Sequence, residues 1–78
     1  MERGEYLQVI RTALSKAVNR DYEISEDTHL VDEELLDSLD SAVFLLEVER
    51  ATGKKLPEAD VETKNLFQVR NLVDYLMA

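Results

Sequence analysis

The stretch "LLDSLDSAVFLLEVE", from Leu35 to Glu49, decides how the rest of the chain is read. It sets a serine between acidic residues and follows it with more apolar side chains than one helical face holds. Plotted at about 3.6 residues per turn, the segment gives two apolar stripes. One contains Phe44, Leu45, Val48 and Ala51, the other Leu39, Ala42, Val43 and Leu46. Asp40 and Glu47 lie between the stripes on one side, Ser38 and Glu49 on the other. A surface helix needs one apolar stripe, and a helix apolar all round is buried. Carboxylates beside both stripes make complete burial costly. Two arrangements remain open: both stripes are core in a tight bundle, or one packs inward while the other meets a partner. An apolar strip rimmed by acids suits a partner bearing apolar and basic residues.

The ends of this helix are marked, which predicts a span of about 38 to 52. Asp37 is placed to accept from the exposed backbone N–H groups of the first turn. Asp40, three residues on, resembles the reciprocal member of a capping box. Gly53 suits a left-handed termination, and Pro57 discourages continuation. Upstream, residues 5 to 18 predict an amphipathic helix. Tyr6, Leu7, Ile10, Ala13, Leu14, Ala17 and Val18 share one side, with Gln8, Arg11, Thr12, Ser15 and Lys16 opposite. Residues 19 to 36 predict a long connection pinned to the core by Leu30, Val31, Leu35 and Leu36. Connections of this length are uncommon in small domains and often functional. Residues 60 to 65 predict one short helical turn. The last helix, about 68 to 77, carries Val69, Leu72, Val73 and Leu76 on a single stripe. No strand pattern or repeat is present, and two glycines and one proline leave little room for hairpins. The expected fold is all-α, a small four-helix bundle of three main helices plus one short helix, in a single domain spanning 1–78.

Composition narrows the chemistry. A chain of 78 residues builds only a small core. The absence of cysteine excludes disulfides, thiolate metal sites and a cysteine nucleophile. Net charge is −8, and residues 21 to 62 hold 14 acids against 3 bases. Such a surface repels nucleic-acid phosphates and anionic membranes, and basic protein surfaces are its complement. The longest apolar run, "AVFLL", is too short for stable membrane insertion. The start, "MERGEYLQVI", lacks a targeting pattern, so a cytoplasmic location is expected.

Ser38 stands at the first turn of a helix after a long loop. The unpaired N–H groups and positive end of a helix favour a phosphate ester there. Asp37 and Asp40 partly oppose that, yet they present a carboxylate-rich target to a basic modifying enzyme. A hydrolytic serine would need a base. The only histidine is His29, in the loop, and no G-x-S-x-G elbow surrounds Ser38. No catalytic residue is therefore assigned. "DEELLD" lacks the central glycine of a calcium loop, so no metal site is assigned either. Taken alone, Ser38 reads as a helix-start residue chosen for local hydrogen bonding.

The segment "DSLDSAVFLLEVE", with "KKLPEADV" after it, resembles the acyl carrier protein family. Asp37, Ser38 and Leu39 match its D-S-L core, and Asp40 the frequent following acid. Leu56-Pro57 before acids matches the turn after the second helix. "LVDYLMA" is similar to the last helix, and "DTHLVDEELLDS" to the approach to the serine. The resemblance spans nearly the whole chain. It implies that Ser38 carries 4′-phosphopantetheine through a phosphodiester, installed from coenzyme A by a phosphopantetheinyl transferase. The thiol of that group would hold an acyl chain as a thioester. The chain, a monomeric carrier rather than an enzyme, would present it to enzymes of fatty-acid, polyketide or related biosynthesis. The resemblance also puts Leu39, Ala42, Val43 and Leu46 on the partner side, with Asp37, Asp40 and Glu47 supplying acidic recognition. Phe44, Leu45 and Val48 would face the core and any acyl cavity. Val43 departs from the pattern at a position commonly acidic. Arg50, Lys54 and Lys55 make the end of the helix less acidic, Thr52 replaces a bulky apolar residue, and the segment after Pro57 is slightly longer. The alternative reading is an unmodified helical adaptor that binds a partner through the Leu39–Leu46 stripe.

Overall fold

The apolar side of the first amphipathic segment becomes the inner face of α1 (Arg3–Val18) in the computed structural model, which describes residues 1–78. Ile10, Ala13 and Leu14 are buried, and Tyr6, Leu7, Ala17 and Val18 pack at the core margin. The helix starts two residues before the expected point. Glu5 Oε1 accepts the N–H of Glu2 at 3.0 Å, and Arg3 is held by Glu26 and Asp74. It ends at Asn19, which adopts φ 57° and donates to the Ser15 carbonyl.

The second helix, α2 (Ser38–Thr52), has the expected limits. Gly53 terminates it at φ 72°, a left-handed conformation that side-chain-bearing residues adopt only under strain. Thr52 Oγ1 donates to the Val48 carbonyl at 2.8 Å and accepts from the Lys54 N–H at 3.3 Å. A polar residue thus finishes the helix where a bulky apolar one would only pack. The short helix α3 (Glu58–Thr63) begins two residues earlier than expected. Pro57 precedes it with φ −59°, and its carbonyl accepts from Val61 N at 3.0 Å. The proline that prevents continuation of α2 therefore also starts α3. The last helix is α4 (Val69–Met77), and Val69, Leu72, Val73 and Leu76 are all fully buried. The architecture is the expected all-α four-helix arrangement, with α1 packed mainly on α2 and less on α4.

Phe44 and Val48 of α2 meet Ile10 and Leu14 in one core cluster, and Phe44 lies 6.5 Å from the Phe67 ring. The long connection adds Leu30 and Leu36 to this cluster. Leu35 is half-buried, but Val31, expected to pin the loop, is 39% exposed. Leu30 takes the inward position, and the turn that follows directs its neighbour outward. The start of α4 has no capping side chain. Its first N–H groups are taken instead by loop carbonyls: Val69 donates to Thr28 and Arg70 to Glu26, each at 3.0 Å. Leu30 N–H donates to the Phe67 carbonyl at 2.8 Å, and His29 pairs with Gln68 in an isolated antiparallel bridge.

Two polar ties complete the frame. Tyr75 Oη donates to Asp60 at 2.5 Å, holding α3 to α4 and raising the phenol pKa above its ordinary value. Arg3 joins Glu26 and Asp74, while Arg70 reaches Asp27 at 2.8 Å and Glu26 at 3.7 Å. The hydrogen bond from Arg3 holds the Glu26 carboxyl below its usual range. A carboxyl depressed in the folded state stabilises the fold above its unfolded pKa. That contribution is lost as pH falls through the folded value.

Two outcomes are expected. Glu26→Gln flattens the acid limb of a melting-temperature profile recorded at low ionic strength, and an unchanged limb would contradict the clamp. Phe44→Ala empties the centre of the core and lowers stability by about 3–5 kcal/mol in urea unfolding.

Candidate functional site

The chain approaches α2 through a tightly bonded turn. Leu35 and Leu36 N–H groups both donate to the Leu30 carbonyl, at 3.0 and 2.9 Å. Glu34 reverses the chain at φ 63°. His29 is the hub of this turn. Its backbone N–H donates to Glu33 Oε2, its Nδ1 accepts from Asp32 N at 3.0 Å, and its Nε2 lies 3.0 Å from Asn65 Oδ1. An Nδ1 that accepts leaves the proton on Nε2, which donates to Asn65. Both ring nitrogens are engaged, Nδ1 within the turn and Nε2 with Asn65 beyond α3, and neither bonds Ser38.

Asp37 enters α2 in extended conformation, and its Oδ1 accepts from Leu39 N at 2.9 Å and Asp40 N at 2.8 Å. The expected cap is present, but the reciprocal box is not. Asp40 makes no bond back to Asp37 N, because its side chain is one methylene shorter than the Glu or Gln that closes such a box. The arrangement separates the two serines of "DSLDS". Ser41 Oγ donates to the Asp37 carbonyl at 2.6 Å. Ser38 is exposed and its hydroxyl makes no hydrogen bond within the protein. Because Asp37 already takes the first N–H groups of the helix, a substituent on Ser38 Oγ would stand outward rather than lie on the helix end. On either side of it in sequence Asp37 is exposed and Asp40 half-buried, and Asp32 and Glu34 of the preceding turn are exposed.

The ambiguity between the two stripes is resolved. Phe44 and Val48 are fully buried, whereas Leu39 is 80%, Val43 46% and Leu46 47% exposed, with Ala42 exposed beside them. Within the inward stripe Leu45 is half-buried, and Ala51 is exposed above a shallow hollow between α1 and α2. Glu47 lies 3.7 Å from Lys16 of α1 and 3.6 Å from Arg50, one turn on along α2. It therefore sits apart from the acids around Ser38.

A groove of about 660 Å³ runs between α2 and α3, beginning at Ser41, one turn below Ser38. Leu45, Leu46, Leu56, Val61 and Phe67 line it, and Glu49, Glu58 and Glu62 stand along it. Phe44 and Val48 belong to the core and do not reach it. Leu56 and Phe67 come from connections with no periodic pattern, so spacing alone gave no signal of the groove. The bulky apolar residues on either side of the short helix were the available hint.

The family model describing a phosphopantetheine attachment site matches residues 8–76. No curated protein and no solved structure matches the chain.

The two residues at the start of α2 separate by stability. Asp37→Ala removes the cap and is expected to cost about 1 kcal/mol in urea unfolding. Ser38→Ala, which breaks no bond, is expected to stay within about 0.5 kcal/mol of wild type.

Proposed function

This chain belongs to the phosphopantetheine-attachment family, and we propose that Ser38 is the residue through which it carries the group. The observation behind this choice is the contrast between the two serines. Ser38 offers an exposed, unbonded hydroxyl at the start of α2, while the Ser41 hydroxyl is tied to a backbone carbonyl. Attachment at Ser38 breaks no internal contact and displaces no core side chain. Members of this family are carriers served by a phosphopantetheinyl transferase and further enzymes.

The attached group supplies a flexible arm ending in a thiol that holds acyl cargo as a thioester, chemistry that a cysteine-free chain lacks in its own side chains. The residues of the chain position and protect. Asp37 fixes the first turn, so the ester oxygen leaves from a rigid point. Asp37 and Asp40 give the approach a negative potential that steers basic partner surfaces. Leu39, Ala42, Val43 and Leu46 form the apolar docking strip, exposed in the free protein and covered in a complex. Glu47 supports that strip from behind through Lys16 rather than meeting the partner directly. The groove between α2 and α3 shelters the apolar part of the cargo, with Leu45, Val61 and Phe67 as its walls. We assign no catalytic residue, since His29 is engaged elsewhere and no other imidazole exists to activate Ser38. The cargo is an acyl group of fatty-acid, polyketide or related biosynthesis.

Intact-protein mass after incubation with coenzyme A and a broad-specificity phosphopantetheinyl transferase tests the assignment. One phosphopantetheinyl group is expected on wild type and on Ser41→Ala, and none on Ser38→Ala. Loading of a folded Ser38→Ala protein would overturn it. So would a wild type left unmodified by both that transferase and the one native to its host, which favours the adaptor reading of the same strip.

A further inference from the structure

The exposed strip of α2 changes sign along its length. No Lys or Arg occurs between Arg20 and Arg50, so every charged residue flanking Ser38 in sequence is a carboxylate. At the far end the carboxylates of α2 itself are engaged internally, while the exposed Glu58 and Glu62 of α3 stand along the neighbouring groove. Glu47 faces Lys16, and Glu49 Oε2 accepts the Leu56 N–H at 2.6 Å. Lys54 is also engaged, donating to the carbonyl oxygens of Leu76 and Ala78 at the end of α4. Arg50 and Lys55 are left exposed. Arg50 has only the 3.6 Å contact with Glu47, and Lys55 has no ion pair.

These cations border a concavity that continues the strip. Leu46, the last exposed residue of the apolar stripe, lines a hollow of about 230 Å³ together with Arg50, Lys54, Lys55, Gly53 and Glu49. Three of its residues are cationic, and its one carboxylate is bonded to a backbone N–H. The strip therefore presents carboxylates at one end, apolar side chains in the middle and a cationic hollow about 18 Å from Ser38, at 1.5 Å per helical residue.

We propose that α2 docks a partner protein surface of matching two-signed charge. The partner carries basic residues where it approaches Ser38, apolar residues against Val43 and Leu46, and carboxylates that enter the hollow at Arg50 and Lys55. This rests on the docking role given to α2 above and specifies the partner. A surface that is basic throughout meets like charge at Arg50 and Lys55, and like-charge juxtaposition discriminates against wrong partners. A two-signed surface also fixes direction, because turning the partner end for end opposes both pairs of charges.

The 78-residue protein, both before and after treatment with coenzyme A and the transferase, is titrated with two synthetic amphipathic helical peptides sharing one apolar face, and backbone amide shifts are followed. One peptide is flanked by Lys throughout, the other by Lys in one half and Glu in the other. The two-signed peptide is expected to bind about fivefold more tightly at low salt and to lose that advantage at high salt, with shifts along α2. In Arg50→Glu/Lys55→Glu the preference is expected to pass to the all-Lys peptide. Lys54 is left intact because it caps α4. Equal or tighter binding of the all-Lys peptide to wild type overturns the inference, as do shifts remote from α2. A salt-sensitive dimer that occludes α2 from both peptides would do so too, by assigning the strip to a second copy. Loading at Ser38 is scored separately on the same preparation. Its failure sinks the carrier reading, whereas loading without peptide preference sinks only the polarity proposed here.

Discussion

The carbonyl groups of Glu26 and Thr28 occupy the place that a capping side chain would take at the start of α4. Much of the remaining geometry depends on that substitution. An uncapped helix start leaves N–H groups without partners, and here the long connection supplies them from its own backbone. In doing so it is fastened to the protein at three successive points, since Leu30 also bonds the Phe67 carbonyl. Leu30 and Leu36 are thereby set into the core on either side of a reversal at Glu34. The chain then has one way to emerge, with Asp37 extended and Ser38 as the first residue of α2. The placement of the serine is thus a consequence of how a different helix, remote in sequence, has its N–H groups satisfied.

α2 itself resolves a conflict between packing and display. Burying Phe44 and Val48 contributes about 1.5–3 kcal/mol each, while Leu39, Val43 and Leu46 forgo much of that contribution by remaining partly in water. Apolar side chains adjacent on one helix face and rimmed by charge are the pattern of an interaction surface. The polar residues of the helix divide between the same two tasks. Glu47, Glu49 and Thr52 face internal partners and fix the helix in place. Asp37 both caps the helix and contributes charge outward, and Ser38 is left without an internal role.

Features set by neighbours in sequence were legible without the fold. The limits of α2, the Asp37 cap, the left-handed Gly53 and the stripe of α4 all follow from local geometry. Features that depend on distant contacts were not. Two stripes of equal period cannot reveal which faces water, and only the resemblance to a carrier family favoured the correct one. Val31 and Leu30 are indistinguishable by composition, and the turn at Glu34 separates them. Asp40 fits a capping pattern by position and fails it by length. Glu47 reads as a surface acid until Lys16 of α1 is brought beside it. The α2–α3 groove is made largely by residues in connections, where periodicity carries no information. The match to the phosphopantetheine attachment site supports the family that the D-S-L triplet and its surroundings suggested.

The fastening of α2 at both ends has a mechanical consequence. Asp37 closes its first turn, and Gly53, Thr52 and the Glu49–Leu56 bond close its last. The helix of 15 residues is then a stiff lever about 22 Å long at 1.5 Å per residue. A tilt of about 5° at the Arg50 end displaces the Ser38 end by about 2 Å over that length. Movement imposed at the Arg50 end is therefore carried to Ser38, and on the attachment proposed above a substitution remote from the serine would redirect the arm without touching it.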